Sequence, residues 1–108
     1  MSKPDKVLNL IGLAMKAGKL VSGETATEHA VKDLTAWLVI VASDASHNTT
    51  KHFTDMCNYR DIPIVYYGTR EELGRAIGKD YRSNMAIIDE GLAQAITKAI
   101  DTRVGGVE

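Results

Sequence analysis

The sequence predicts an α/β protein, a three-layer α/β/α sandwich with a mostly parallel, mixed sheet of about four strands. Helical segments alternate with short apolar runs along the 108 residues. Those runs are continuous enough to be strands buried on both faces, and strands joined through helices favour parallel crossovers. With 44% hydrophobic and 25% charged residues, the chain can bury one sizeable core. One domain over residues 1–108 is expected, with its core at about 5–101 and a loose tail at 102–108.

Each element has a local reason. Val7, Leu8, Ile11, Ala14 and Met15 recur at helical spacing between Asp5 and Ala17, and Gly18 is placed as the stop. A second helix is predicted from about Glu24 to Leu34, entered through Ser22-Gly23. Ala26, Ala30, Val31 and Leu34 form its inward stripe, while Thr25, His29 and Lys32 look outward. Trp37-Leu38-Val39-Ile40-Val41-Ala42 reads as a strand buried on both faces. The polar stretch Ser43 to Asn48 supplies turn and cap chemistry for a helix carrying Phe53, Met56 and Cys57 inward. Ile62 to Tyr67 is another strand, with Pro63 tolerated near its start.

Thr69-Arg70-Glu71-Glu72 has the form of a capping box, in which hydroxyl and carboxylate satisfy each other's exposed backbone donors. Leu73, Ala76 and Ile77 are that helix's buried stripe, and Gly78 ends it. Lys79 to Ser83 forms a loop before the strand Asn84 to Ile88. Asp89 then caps a last helix bearing Leu92, Ala93, Ile96 and Ile100, and Gly105-Gly106 begins a loose end.

Charge and cysteine content narrow the function classes. A net charge of −1 gives no wholesale basic footprint, but residues 1–24 carry Lys3, Lys6, Lys16 and Lys19 against Asp5 and Glu24. Cys57 stands alone, so no internal disulfide forms, and no apolar run is long enough for a membrane span or signal peptide. A soluble, cytoplasmic protein without a membrane partner is the expectation.

Enzymatic readings fail on chemistry. Gly18 to Thr25 matches a phosphate-binding loop at both glycines and the threonine, but Glu24 stands where that loop needs lysine, and a helix precedes Gly18 where a strand is required. Cys57 and His52, five residues apart on one helix, point to different faces. Three scattered histidines and one cysteine make no recognisable metal spacing, and Asp89-Glu90 is explained as a helix cap. No catalytic residue, cofactor or metal is expected. What survives is a polar helix start beside the Gly18/Gly23 elbow, whose free N–H donors suit phosphate or carbonyl groups. Thr25 and His29, four apart, project together there.

The order of these segments resembles a known family. Gly18-Lys19-Leu20-Val21-Ser22-Gly23-Glu24, the strand Leu38 to Ala42, Asp44-Ala45-Ser46-His47-Asn48-Thr49, Gly68 to Lys79 and Ala86-Ile87-Ile88-Asp89 resemble bacterial YlxQ-type proteins. These are relatives of the archaeal ribosomal protein L-seven-Ae and its kink-turn-binding superfamily. The match runs from about Val7 to Ile100. It implies an α/β/α sandwich that grips a kink-turn, an RNA bend flanked by sheared G·A pairs.

The resemblance also assigns residues. A Gly-x-Asn-Glu-x-x-Lys signature reads the G·A pairs in that superfamily, and here it falls on Gly23 to His29, so Thr25 replaces the Asn, Ala26 the Glu and His29 the Lys. Thr25 keeps one hydroxyl, Ala26 offers no polar group, and a histidine is mostly neutral near pH 7 where lysine is charged. YlxQ-type relatives tend to read Gly-Glu-Glu-Ala here, which makes Glu24 a candidate for the carboxylate. Ser22 and Gly23 belong to the same helix entrance. A second loop maps to Lys79 to Asn84, where Tyr81 is placed to stack on an extruded base and Arg82 to stack or meet phosphate. Lys16, Lys19 and Lys79 are the candidate phosphate contacts.

The implied function is a non-enzymatic, monomeric RNA-binding protein that recognises kinked RNA, with ribosomal RNA among its targets and no DNA partner. Near-neutral charge and the substituted signature leave open a protein-interaction module on the same fold.

Overall fold

In the computed structural model, which describes residues 5–105 with side chains through residue 102, Asp5 opens the first helix by accepting from the Leu8 amide at 3.0 Å. Its other carboxylate oxygen accepts from the Tyr67 hydroxyl at 2.7 Å, which ties that helix start to the far end of the chain's third strand. The elements run α1 (Lys6–Lys16), β1 (Leu20–Ser22), α2 (Glu24–Lys32), β2 (Leu38–Val41), α3 (His47–Arg60), β3 (Ile64–Tyr66), α4 (Arg70–Ala76), β4 (Asn84–Ile87) and α5 (Glu90–Gly105). Ser46 and Thr69 cap α3 and α4, the latter through the full capping box with Glu72, and Asp89 accepts from Leu92 at the start of α5.

The sheet has the order β1-β4-β2-β3 and is covered on both sides. Side chains alternate across it, as the two-residue period of a strand requires. Leu38, Ile40, Met85 and Ile87 join one buried cluster with Val7, Ile11 and Ala14 of α1, Leu73 of α4 and Ile96 of α5. Val39, Val41 and Ala86 join the other, with Ala30 and Val31 of α2 and Phe53 and Cys57 of α3. Each such fully buried large side chain is worth about 1.5–3 kcal/mol relative to leaving it in water. The α/β/α sandwich therefore stands.

The mostly parallel sheet is corrected in its pairing. β1, β2 and β3 share one direction, but β4 lies between β1 and β2 and is antiparallel to both, leaving β2–β3 as the parallel pair. The cause is the return path before β4. α4 is only about 10 Å long, and the segment after it doubles back along it. Lys79 N bonds Gly74 O at 2.8 Å and Arg82 N bonds Arg70 O at 3.0 Å. The chain thus regains the level of Arg70 before β4 begins, and β4 must run the other way.

Other expectations also change. The fourth strand is β1, inside the segment expected to be a glycine elbow; three residues are too few for a visible period, and only pairing with β4 makes them a strand. Ser22 lies in that strand and does not cap α2, whose cap position is Gly23. α2 stops at Lys32, so Leu34, at φ 60°, is 68% exposed and leaves the inward stripe. Trp37 precedes β2 and is half-exposed, because the sheet ends there. The last helix continues to Gly105, so residues 102–105 are helical and not a loose tail, and Gly106 lies outside the described residues.

Candidate nucleic-acid interface

Because β1, β2 and β3 run in one direction, they end on the same side of the sheet, and α2, α3 and α4 all begin there. The partial positive ends of three helices therefore gather in one region, which favours acceptor and anionic groups. They differ in how their first amides are satisfied. Ser46 accepts from Thr49 N at 3.1 Å and Thr69 from Glu72 N at 3.0 Å, whereas Gly23 offers α2 no side-chain cap. The first-turn donors of α2 are thus left to solvent or a ligand. Gly23 sits at φ 92°, ψ 156°, a backbone conformation that essentially only glycine adopts.

The strand β4 brings a second segment to this side. Gly23 N bonds Asn84 O at 3.3 Å, and Arg82 Nε donates to Ser22 Oγ at 3.0 Å. Arg82 Nη1 also donates to Tyr81 O at 2.8 Å, so one guanidinium spans both segments. Tyr81 is left 64% exposed. The loop is pressed against α4 at Gly74, where a Cβ would stand 2.8 Å from backbone atoms of Asp80 and Tyr81. Behind the surface, Thr27 and Asn84 are buried, and Thr27 Oγ1 and Asn84 Oδ1 have no hydrogen-bond partner.

Of the residues singled out from the sequence, Ser22, Gly23, Glu24, Thr25, Tyr81 and Arg82 come together here, and His29 follows one turn along the exposed face of α2. Lys16 and Lys19 do not join them. Lys19 O accepts from Ile88 N, past the other end of β4, about 13 Å of extended chain from Gly23. Lys79 lies beyond the C-terminal end of α4, away from Arg82 at its start.

Sequence reading missed Arg70 and Asp44. The Arg70 amide donates to Asp44 Oδ1 at 2.8 Å, with its Nε 3.7 Å from the same oxygen. Both sat inside quoted motifs, but only the shared ending of β2 and β3 shows that they meet. Glu24, Glu28 and His52 were likewise unlinked, and their ligand atoms lie within 4.8 Å of one another. His52 Nε2 meets Glu28 Oε2 at 2.6 Å. Burial pushes the Cys57 thiol up to about 11, against a smaller opposing effect of Arg60, and such a thiol is a poor nucleophile at neutral pH.

Residues 5–97 match the ribosomal protein L7Ae/L30e/S12e/Gadd45 family. The chain belongs to that family. Its relatives within it include the RNA-binding protein YlxQ of Bacillus subtilis (strain 168), 41% identical over 92 residues, which are 85% of this chain and 92% of the relative. The RNA-binding protein YlxQ of Enterococcus faecium is 40% identical over 96 residues, 89% of this chain and 92% of its own. Among solved structures, a protein of unknown function from Bacillus halodurans superimposes with a TM-score of 0.87 at 39% identity, covering 91% of this chain and 99% of that one. The Giardia lamblia 15.5kD RNA binding protein shares the fold, with a TM-score of 0.73 at 23% identity over 89% of this chain and 82% of that one. For this L7Ae-family chain, among the described residues, no helix is long and apolar enough to cross a membrane.

Proposed function

We propose that this chain is a non-enzymatic RNA-binding protein that recognises a kinked, kink-turn-like RNA across the start of α2 and the loop before β4. The observation that carries this reading is the Ser22–Arg82 hydrogen bond, which joins two segments far apart in sequence into one surface. The names of the YlxQ relatives as RNA-binding proteins support it.

The roles follow from exposure and chemistry. The uncapped amides of α2 donate to phosphate or base carbonyl oxygens. Thr25 and His29, both exposed on α2, face the base edges. Tyr81 stacks on an unpaired base, and Arg82 and Arg70 supply cationic contacts nearby. Lys16, Lys19 and Lys79 serve as flanking phosphate contacts, outside the central patch. A ribosomal RNA carrying such a bend is the first target to test.

The test is a gel shift with a kink-turn RNA and with the same RNA whose G·A pairs are made Watson–Crick. Binding to the first and not the second is expected. Equal shifts would reduce the protein to nonspecific affinity, and protein partners that persist after RNase treatment would favour an interaction module.

A further inference from the structure

Glu24 and Glu28 stand one helical turn apart on α2, and His52 reaches them from α3. We propose that these three side chains form a binding site for a divalent transition-metal ion, with zinc the best match to the donor set. It shares Glu24 with the candidate RNA interface but does not depend on the RNA reading, and it is tested without RNA.

Geometry supports the site first. The three ligand atoms lie within 4.8 Å of one another, and a tetrahedral zinc with bonds of about 2.0–2.2 Å needs its ligands about 3.3–3.6 Å apart. Small side-chain rotations bridge that difference. The backbone beneath does not need to move, because α2 and α3 pack together over buried Ala30, Val31, Phe53 and Cys57. The His52 ring is held in an edge contact with Phe53, centroids 5.1 Å apart, and Phe53 is fully buried. Its Nε2 faces the carboxylates, at 2.6 Å from Glu28 Oε2.

Charge and donor type support it next. A hydrogen bond between His52 and Glu28 needs no third partner, yet Glu24 brings a second carboxylate to the same point, where like charges one turn apart repel. A dication removes that repulsion. One imidazole nitrogen with two carboxylate oxygens suits zinc better than magnesium or calcium, which prefer all-oxygen sites. The exposure of Glu24 leaves coordination positions open to water.

The full chain, stripped with a chelator, is titrated with zinc by calorimetry and by competition with a chromogenic zinc indicator. One zinc per chain is expected, with magnesium weaker at equal concentration. His52→Ala and Glu28→Gln should each weaken zinc binding by at least about tenfold, while His29→Ala and His47→Ala leave it unchanged. Circular dichroism checks that each variant folds, and Glu24→Gln, at an exposed position, provides a further test should His52→Ala fail to do so. Absence of stoichiometric zinc binding, full binding by folded His52→Ala and Glu28→Gln, loss in His29→Ala, or preference for magnesium would overturn the site.

Discussion

Arg82 Nε donates to Ser22 Oγ across 3.0 Å, joining residues 60 positions apart. The same guanidinium holds the Tyr81 carbonyl, so it ties the loop before β4 to the entrance of α2. A single hydrogen bond of this kind is worth about 0.5–1.5 kcal/mol, and about 1.4 kcal/mol is a factor of ten in affinity.

Arg82→Ala should therefore lower affinity for a kink-turn RNA by about tenfold, since it removes both a cation and the tether of Tyr81. Ser22→Ala keeps the cation and loses only the tether, and about threefold is expected. Gel shifts measure both, with thermal melts to confirm that the fold persists. Unchanged affinity in Arg82→Ala would remove the loop from the interface.

Substitutions in α2 should act in the opposite direction. Thr25 and His29 are exposed, so larger polar side chains fit there without disturbing the core, and at the partly buried Ala26 the longer side chain must extend towards solvent. Thr25→Asn, Ala26→Glu and His29→Lys together restore the amide, carboxylate and ammonium groups, and should tighten binding by about tenfold or more, at about 1–3 kcal/mol for a good polar base contact. Unaltered affinity would mean that the RNA docks elsewhere.

Gly74→Ala separates helix propensity from packing. In an exposed helix, alanine would gain up to about 1 kcal/mol over glycine. Here the new Cβ would sit 2.8 Å from the backbone of Asp80 and Tyr81, which cannot yield as a flexible side chain can. The variant should melt below the parent and bind RNA more weakly, because the loop that carries Tyr81 and Arg82 is displaced. A higher melting temperature with full RNA affinity would contradict this.

Cys57 makes the fold sensitive to alkaline pH. Its thiol is raised from 9.0 to about 11 in the folded chain by burial, so the folded state holds the proton more tightly than the unfolded state. That stabilisation is complete below about pH 9 and is lost as pH rises towards 11, by roughly 2–3 kcal/mol at most. Denaturant melts of the parent and Cys57→Ala across this range should show the parent losing more stability. A thiol reagent at pH 8 should label Cys57 only after unfolding, and rapid labelling of the native protein would refute the burial argument.

Local chemistry made much of the fold legible. The caps at Thr69 and Asp89, the cap-forming stretch Ser43 to Asn48 and the apolar runs of β2, β3 and β4 are written within a few residues of each element, so they can be read without knowing the fold. The misread places depend on distant partners. β1 is a strand only because β4 lies beside it, and Leu34 leaves the stripe of α2 because the chain must turn back towards β2.

The sequence by itself determined the alternation of helices and strands, the two apolar faces of the sheet, the glycine at position 23 and the family to which these motifs belong. Tertiary structure decided the direction of β4, the meeting of Ser22 with Arg82 and of Arg70 with Asp44, the separation of Lys16 and Lys19 from that patch, and the convergence of Glu24, Glu28 and His52. The physical reason is range. Caps and periodicity act over three or four residues, whereas the candidate interface is assembled from segments that only the sheet order and the return loop along α4 bring to one end.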